Sequence, residues 1–388
     1  MAHKPFNLHK RPAKKSGRFI YYCQFYDEYG NRLNAKSTGC TSKAAAENWA
    51  HKQLREGLIF THGNILFKDY AEDWWIWDRC EYIKRKLARG RSISWVYVDV
   101  MRSYLENHIL LYFGSKKLNQ ITPKMVEDWL FFLRKKIGKT GKPLAAITVN
   151  HCLVTLRIML GEAVRREYLK KNPVIGVEPL KENPRERNIL SIEEVRKLFK
   201  DDTINRIWED YLAHFTINLL AASTGLRIGE CQALKIDKIH SEYISVNHNW
   251  TPKYGLQPPK RRSYRDVPVP RKTSRYLHEL IHLSTYREPH DFIFWGLDRF
   301  TPIHHNTIYR KLYKALNNIG ISSAEREKRN ITFHSWRHFF NTHFRGRIHD
   351  SKLQRLTGHR TDDMTDHYTH FSIEDFRDVM EIQEEYFG

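Results

Sequence analysis

Ile331-Thr332-Phe333-His334-Ser335-Trp336-Arg337 is followed by Leu356-Thr357-Gly358-His359 and then by His367-Tyr368-Thr369-His370. His334 and Arg337 stand three apart, so a helical turn puts an imidazole and a guanidinium on one face. The glycine before His359 lets backbone and ligand approach closely. Upstream lies a related box, Thr224-Gly225-Leu226-Arg227-Ile228-Gly229-Glu230, with Glu230 three residues beyond Arg227 and able to brace it. Taken singly, each residue has a bland reading. Trp336, Phe339 and Phe340 would make an aromatic core helix, Arg227 would be a surface arginine paired with Glu230, and Tyr368 is one of 20 tyrosines. Their order along the chain is what singles them out.

A guanidinium is a planar two-pronged donor that matches phosphate oxygens, and two of them can clamp a phosphodiester. A tyrosine can attack one, provided a base or cationic field assists, since a free phenol has a pKa near 10. With these residues in this order, the chain resembles the tyrosine recombinase family, the phage-type integrases. The family's signature of arginine, lysine, histidine-x-x-arginine, histidine or tryptophan, and tyrosine maps here to Arg227, Lys260, His334, Arg337, His359 and Tyr368. Lys253 competes for the lysine position. Lys260 is preferred because it precedes Arg261-Arg262-Ser263 and the Val267-Pro268 strand end, as the family's hairpin lysine does. Ser335-Trp336 replaces the family's common acidic-leucine pair, with the spacing intact. The resemblance is strong over residues 188–388, moderate over 64–178 and weaker over the first sixty.

The resemblance implies a site-specific DNA recombinase of a phage or conjugative element. Tyr368 would form a 3′-phosphotyrosyl link and release a 5′-hydroxyl. Arg227 and Arg337 would neutralise the phosphate, His359 would donate to a non-bridging oxygen, Lys260 would protonate the leaving oxygen and His334 would help take the phenol proton. The covalent link conserves the bond energy, so no cofactor is expected, and no acidic cluster for paired metal ions accompanies the boxes. Three rivals remain at this level: a type IB topoisomerase, a DNA-binding regulator with the fold but no chemistry, and a metal-dependent nuclease.

Composition agrees with a nucleic-acid partner. The 388 residues carry a net charge of +21, and the pI is near 9.7, which points to a polyanion. The excess is spread, about +7 over residues 1–60, about +9 over 61–186 and about +5 over the remainder. Five scattered cysteines, Cys23, Cys40, Cys80, Cys152 and Cys231, none at C-x-x-C spacing, argue for reduced thiols and against a disulfide frame or a zinc site. There is no signal-peptide pattern, and no stretch is expected to approach the length of a membrane span. A cytoplasmic, nucleoid-associated protein follows.

The expected fold is mainly α with small β-sheets, in three domains. Residues 1–60 form an α+β arm-binding domain by resemblance. A flexible basic arm over 1–18 leads to strands over Arg18–Tyr26 and Leu33–Thr38 and a helix over Ala44–Leu54 stopped by Gly57. Residues 64–178 form a helical core-binding bundle: an opening helix with Phe67, Tyr70, Trp74, Trp75 and Trp77; a basic separator, Lys84 to Arg91; a helix capped by Ser94; another begun by Thr122-Pro123; and a last from Ile147 to Tyr168. Residues 188–388 form a mixed, mainly-α catalytic domain of the tyrosine recombinase type. It opens on the capping box Ser191–Glu194 and carries a helix over Tyr211–Thr224, strands over Tyr243–Val246 and Arg265–Val269 joined through Pro258-Pro259-Lys260, and helices over Asn306–Ile319, Ser335–Arg345, Lys352–Thr357 and Asp363–Tyr368. The acidic, amphipathic tail from Ser372 either packs on a neighbouring protomer, as in the family, or folds back on its own domain.

Double-stranded DNA, at core sites and arm sites, is the expected partner of a homo-tetramer, and the resemblance allows an accessory directionality or DNA-bending protein. Candidate DNA contacts are Lys84, Arg85, Lys86, Arg89, Arg91, Arg261, Arg262, Arg310 and Lys311.

Overall fold

Strand β1 (Phe6–Pro12) occupies the stretch expected to be a flexible arm. It pairs antiparallel with β2 (Phe19–Phe25), from Phe6 opposite Phe25 to Pro12 opposite Phe19, and β2 pairs with the short β3 (Lys36–Ser37). The basic side chains are accommodated on rings: Lys10 Nζ lies 5.5 Å from the Tyr21 centroid and the Arg11 guanidinium 4.9 Å from that of Tyr22. Cation–π contact lets charged residues occupy a strand that a charge count reads as disordered. Phe6, Leu8, Cys23 and Phe25 pack towards α1 (Lys43–Glu56) and its buried Ala50. By strand alternation, Asn7, His9, Arg11, Tyr22 and Gln24 line the opposite face. The structure, a computed structural model, describes residues 5–12, 18–26, 32–56, 64–138, 141–183, 188–358 and 371–388. The expected stop at Gly57 lies outside them.

The chain divides into two units, residues 1–183 and 184–388. The first continues as a helical bundle. Its opening helix is shorter than expected: α2 (Phe67–Tyr70) gives way to turns in which Trp75 takes a left-handed φ of 58°. Trp74 and Trp75 are buried there against Tyr82. The basic run is not a separator. Most of it belongs to α3 (Glu81–Ala88), which buries Ile83. Next, α4 (Trp95–Tyr104) starts where Ser94 Oγ accepts the Tyr97 N–H at 3.2 Å and continues through one π turn into α5 (Leu110–Phe113). Thr122 caps α6 (Pro123–Lys135), with proline at its first position as expected.

The central helix is α7 (Ala146–Arg165). It is long and apolar enough to cross a membrane by length and composition, contrary to expectation. Most of its apolar residues, among them Val149, Leu153, Leu156, Met159 and Leu160, are instead buried inside the bundle, while Ile147 and Val154 stay exposed. Glu162 on this helix is buried and accepts from three arginines: Arg85 of α3 at 2.5 Å, Arg165 Nε at 2.9 Å and Arg166 Nε at 3.2 Å. Burial would raise its pKa, but the guanidinium hydrogen bonds outweigh that and hold it at about 2.

The second unit opens with α8 (Ile192–Phe199) behind the expected capping box, Ser191 Oγ accepting from Glu194 N and Glu194 from Ser191 N. Helix α9 (Thr203–Trp208) follows, then α10 (Leu212–Thr224), which is almost wholly buried and forms the axis of the core. The short α11 (Ile228–Gln232) leads to β4 (Tyr243–Val246). A hairpin not foreseen, β5 (Asn249–Thr251) and β6 (Gly255–Gln257), precedes β7 (Arg265–Pro268), which pairs antiparallel with β4. Three-residue strands give too little alternation to be seen in sequence. Helices α12 (Arg271–Leu283), α13 (His305–Asn318), α14 (Ser323–Lys328), α15 (Ser335–Phe344) and α16 (Asp350–Thr357) complete the shell. The helix expected over Asp363–Tyr368 lies outside the described residues.

The tail folds back on its own unit. Val379, Ile382 and Phe387 of α17 (Arg377–Phe387) join the core. Gln383 Nε2 donates to the carbonyls of Ser223 and Pro268 at 2.8 and 2.9 Å, and Glu384 Oε1 accepts the Arg271 N–H at the start of α12.

Candidate active site

Helix α10 stops at Gly225, whose φ of +68° is left-handed; a Cβ there would lie 2.8 Å from the Phe340 ring. Glycine is therefore required twice over, by backbone conformation and by the closeness of α15. The turn sets Arg227 at the start of α11. Its N–H donates to Glu230 Oε2 at 3.0 Å and its Nη1 to Oε1 at 2.9 Å. The Arg227 side chain stays 21 % exposed while Glu230 is buried.

Arg337 enters from α15 and is itself buried. Its Nη1 donates to the Gly225 carbonyl at 3.0 Å and its Nη2 to the Thr357 carbonyl. One guanidinium thus ties the arginine box to the end of α16. Burial, then repulsion from Arg227, pushes its pKa down to about 9, so it remains charged at neutral pH. The Gly225 carbonyl that Arg337 bonds lies two residues before Arg227, so both guanidinium groups are anchored at the same turn. His334 sits one turn before Arg337, at the head of α15, with its ring 5.0 Å from that of His338. Trp336 points the other way and donates its indole N–H to Asn218 Oδ1 at 2.8 Å.

Lys260 opens a tight, exposed turn, Lys260–Arg262, in which Arg261 and Arg262 both take positive φ. The turn is closed by Ser263 Oγ donating to the Lys260 carbonyl at 3.1 Å. Gly358 ends α16 at φ +63°, and a Cβ there would meet Ser263 Oγ at 2.7 Å and Arg265 Nη1 at 3.2 Å. The lysine turn and the glycine before His359 are therefore neighbours. Lys253 belongs to a different turn, between β5 and β6, beside the Tyr254 ring. His359 and Tyr368 lie outside the described residues.

One central residue escaped the sequence reading. Arg265, fully buried at the start of β7, pairs with Glu230 through Nη2–Oε2 at 2.9 Å. Burial would raise the Glu230 pKa, but Arg265 and then Arg227 reverse this and hold it below the usual carboxylate range. The available signal was alternation: Arg265 shares the inward face of β7 with Val267, and an inward arginine needs a carboxylate.

The candidate DNA-contact residues divide. Lys84 pairs with Glu81 at 3.0 Å, Arg85 with Glu162, and Lys86 lies over the Tyr82 ring. Lys311 is taken up internally, bonded to Glu209 at 3.1 Å with its Nζ 3.4 Å from the Tyr211 centroid. Arg89, Arg91, Arg261, Arg262 and Arg310 are exposed. Among the described residues no group of three or more His, Cys, Asp or Glu could hold a metal ion.

Comparison with known proteins gives a consistent picture. The sequence pattern of the phage integrase family matches residues 188–374, and that of the phage integrase SAM-like domain matches 75–177. The ICEBs1 integrase of Bacillus subtilis (strain 168) is 29% identical over 266 residues, 60% of this chain and 68% of that protein. Tyrosine recombinase XerD of Staphylococcus aureus is 25% identical over 285 residues, 72% of this chain and 86% of its own. The Tn1549 transposon integrase, solved in complex with transposon right end DNA, superposes with a TM-score of 0.57 at 18% identity, over 77% of this chain and 97% of that one. A lambda integrase tetramer bound to a Holliday junction superposes with a TM-score of 0.55 at 18% identity, over 95% and 98%.

Proposed function

The chain belongs to the phage integrase family of tyrosine recombinases, and from that premise we propose that it is the site-specific recombinase of a phage or conjugative element, cutting and rejoining duplex DNA at its own attachment sites. The observation that carries the reading is the joining of four boxes by direct contact. Arg337 bonds to the carbonyls of Gly225 and Thr357, and Gly358 closes on Ser263 in the lysine turn.

In this reading the Tyr368 oxygen attacks the scissile phosphorus, and its proton passes towards His334. The bond from phosphorus to the 5′-oxygen breaks as Lys260 supplies a proton to that oxygen. Arg227, Arg337 and the donor on His359 stabilise the charge on the non-bridging oxygens. The 3′-phosphotyrosyl bond stores the phosphodiester energy until a 5′-hydroxyl attacks it in reverse, so no nucleotide cofactor enters. Among the described residues, Glu230 is the carboxylate that pairs with Arg227 and Arg265 and acts on Arg337, one negative charge against three cations. The surplus suits a phosphoryl transition state. The reading is tested with nicked duplexes tiled from the DNA flanking the gene. The protein should form an adduct that survives denaturant and is insensitive to chelator; no adduct on any flank would overturn the assignment.

We assign residues 1–60 to arm-site binding, 64–178 to core-site binding and 188–388 to catalysis, with four copies assembling on DNA in the nucleoid. A directionality or bending factor is a further partner. The face of the β1–β2–β3 sheet turned away from α1 supports the first assignment: His9 stacks on Tyr22 and the exposed Arg11 lies over the same ring, a basic and aromatic surface. Arg11→Ala should weaken binding to flanking duplex and flatten the slope of log affinity against log salt by about 0.9, the share of one phosphate. An unchanged slope would show that Arg11 meets no phosphate.

A further inference from the structure

We propose that Arg265 is a positioning residue for strand cleavage, fixing Arg227, the Lys260 turn and the chain leading into His359 relative to one another. The inference rests on the recombinase reading above. Every nitrogen of this guanidinium is committed, and to three different places. Nη2 donates to Glu230 Oε2 at 2.9 Å and Nη1 to Glu230 Oε1 at 3.3 Å, and the same carboxylate holds both the backbone and the side chain of Arg227. Nη1 also donates to the Ser263 carbonyl at 3.1 Å, three residues beyond Lys260. Nε donates to the Leu356 carbonyl at 2.7 Å, two residues before Gly358.

A purely structural role would be served as well by an apolar residue. Replacing a buried ion network with well-packed apolar side chains is often neutral or stabilising. What an apolar side chain cannot do is fix directions between three separate segments. A planar guanidinium does so because its donors diverge at set angles. The site also leaves little slack around it: Gly358 approaches Arg265 so closely that even a Cβ would lie 3.2 Å from Nη1. A shift of the guanidinium would therefore be felt at once by the lysine turn and by the α16 terminus. Lysine keeps the charge but offers one point in place of a fork, so Arg265→Lys separates charge from geometry.

The test uses the full-length protein and two nicked suicide duplexes, one with the ordinary 5′-oxygen at the scissile phosphate and one with sulfur at that bridging position. A thiolate departs without a proton, so the sulfur duplex does not depend on Lys260. Arg265→Lys should keep wild-type DNA affinity and a cooperative unfolding transition, its midpoint lowered by the donors lost at the Ser263 and Leu356 carbonyls. It should cleave the oxygen duplex at least about 100-fold more slowly, the usual consequence of a misplacement near 1 Å. Its preference for sulfur over oxygen should rise at least about ten-fold above wild type, because part of the loss lies in Lys260. Glu230→Gln, which keeps the shape but removes the shared charge, should slow cleavage in the same way with binding intact, and it serves should Arg265→Lys fail to fold. Wild-type cleavage by either variant overturns the proposal. So does a parallel fall of cleavage, binding and unfolding temperature with no change in sulfur preference. Should the wild-type protein itself cleave neither duplex, the recombinase reading fails first.

Discussion

Tyr368→Phe is expected to abolish the covalent adduct while leaving DNA affinity unchanged. Removing one hydroxyl takes away the only atom that can bond to phosphorus, and no neighbouring group supplies a substitute in the proposed chemistry. Loss of a nucleophile that acts as one of a unit typically costs on the order of 10⁴-fold or more, which puts the variant below detection on a suicide duplex. Affinity should hold because phosphate contacts spread over a surface of net charge +21 dominate binding. A denaturing gel and a mobility shift on the same samples read both quantities. Adduct formation by the phenylalanine variant would remove Tyr368 from the mechanism, and equal loss of binding would make it a structural residue.

The second large effect is expected from the two arginines, and it differs between them. Arg337→Ala should lower cleavage by about 10³-fold, the upper range for loss of one preorganised charge donor. It should also destabilise the second unit, because the Gly225 and Thr357 carbonyls lose their donor in a buried place, at about 1–3 kcal/mol for each group left unsatisfied. Arg227→Ala should reduce cleavage similarly at a smaller cost in stability. Its side chain is partly exposed, and Glu230 retains Arg265 as its partner. Thermal unfolding and cleavage rate measured together separate the cases. Equal destabilisation by both variants would contradict the arrangement described.

Much of this architecture was legible because local chemistry and global fold agree. Ser94, Thr122-Pro123 and Ser191–Glu194 announce helix starts, and helices begin there. The arginine box, the histidine-arginine box and the glycine before His359 could be placed in order, though not in space. What stayed hidden has physical causes. β1 was masked by Lys10 and Arg11, which stay exposed on the strand while lying against tyrosine rings. α3 looked like a connector because its charges are conspicuous and its burial rests mainly on Ile83. Trp74 and Trp75 looked helical, yet they reach the core from a turn with left-handed backbone. Arg265 was missed because alternation turns it inward but its carboxylate partner lies 35 residues away in sequence. The direction of the tail was open in sequence because an amphipathic helix suits any complementary groove.

The docked C-terminal helix bears on the proposed assembly of several copies on DNA. Val379, Ile382, Phe387 and Gln383 are already housed within their own unit. Lending the helix to another copy would exchange like for like, since the receiving groove is identical. Such a trade is close to neutral in contact energy, and its balance is set by local concentration, which alignment along a shared duplex raises steeply.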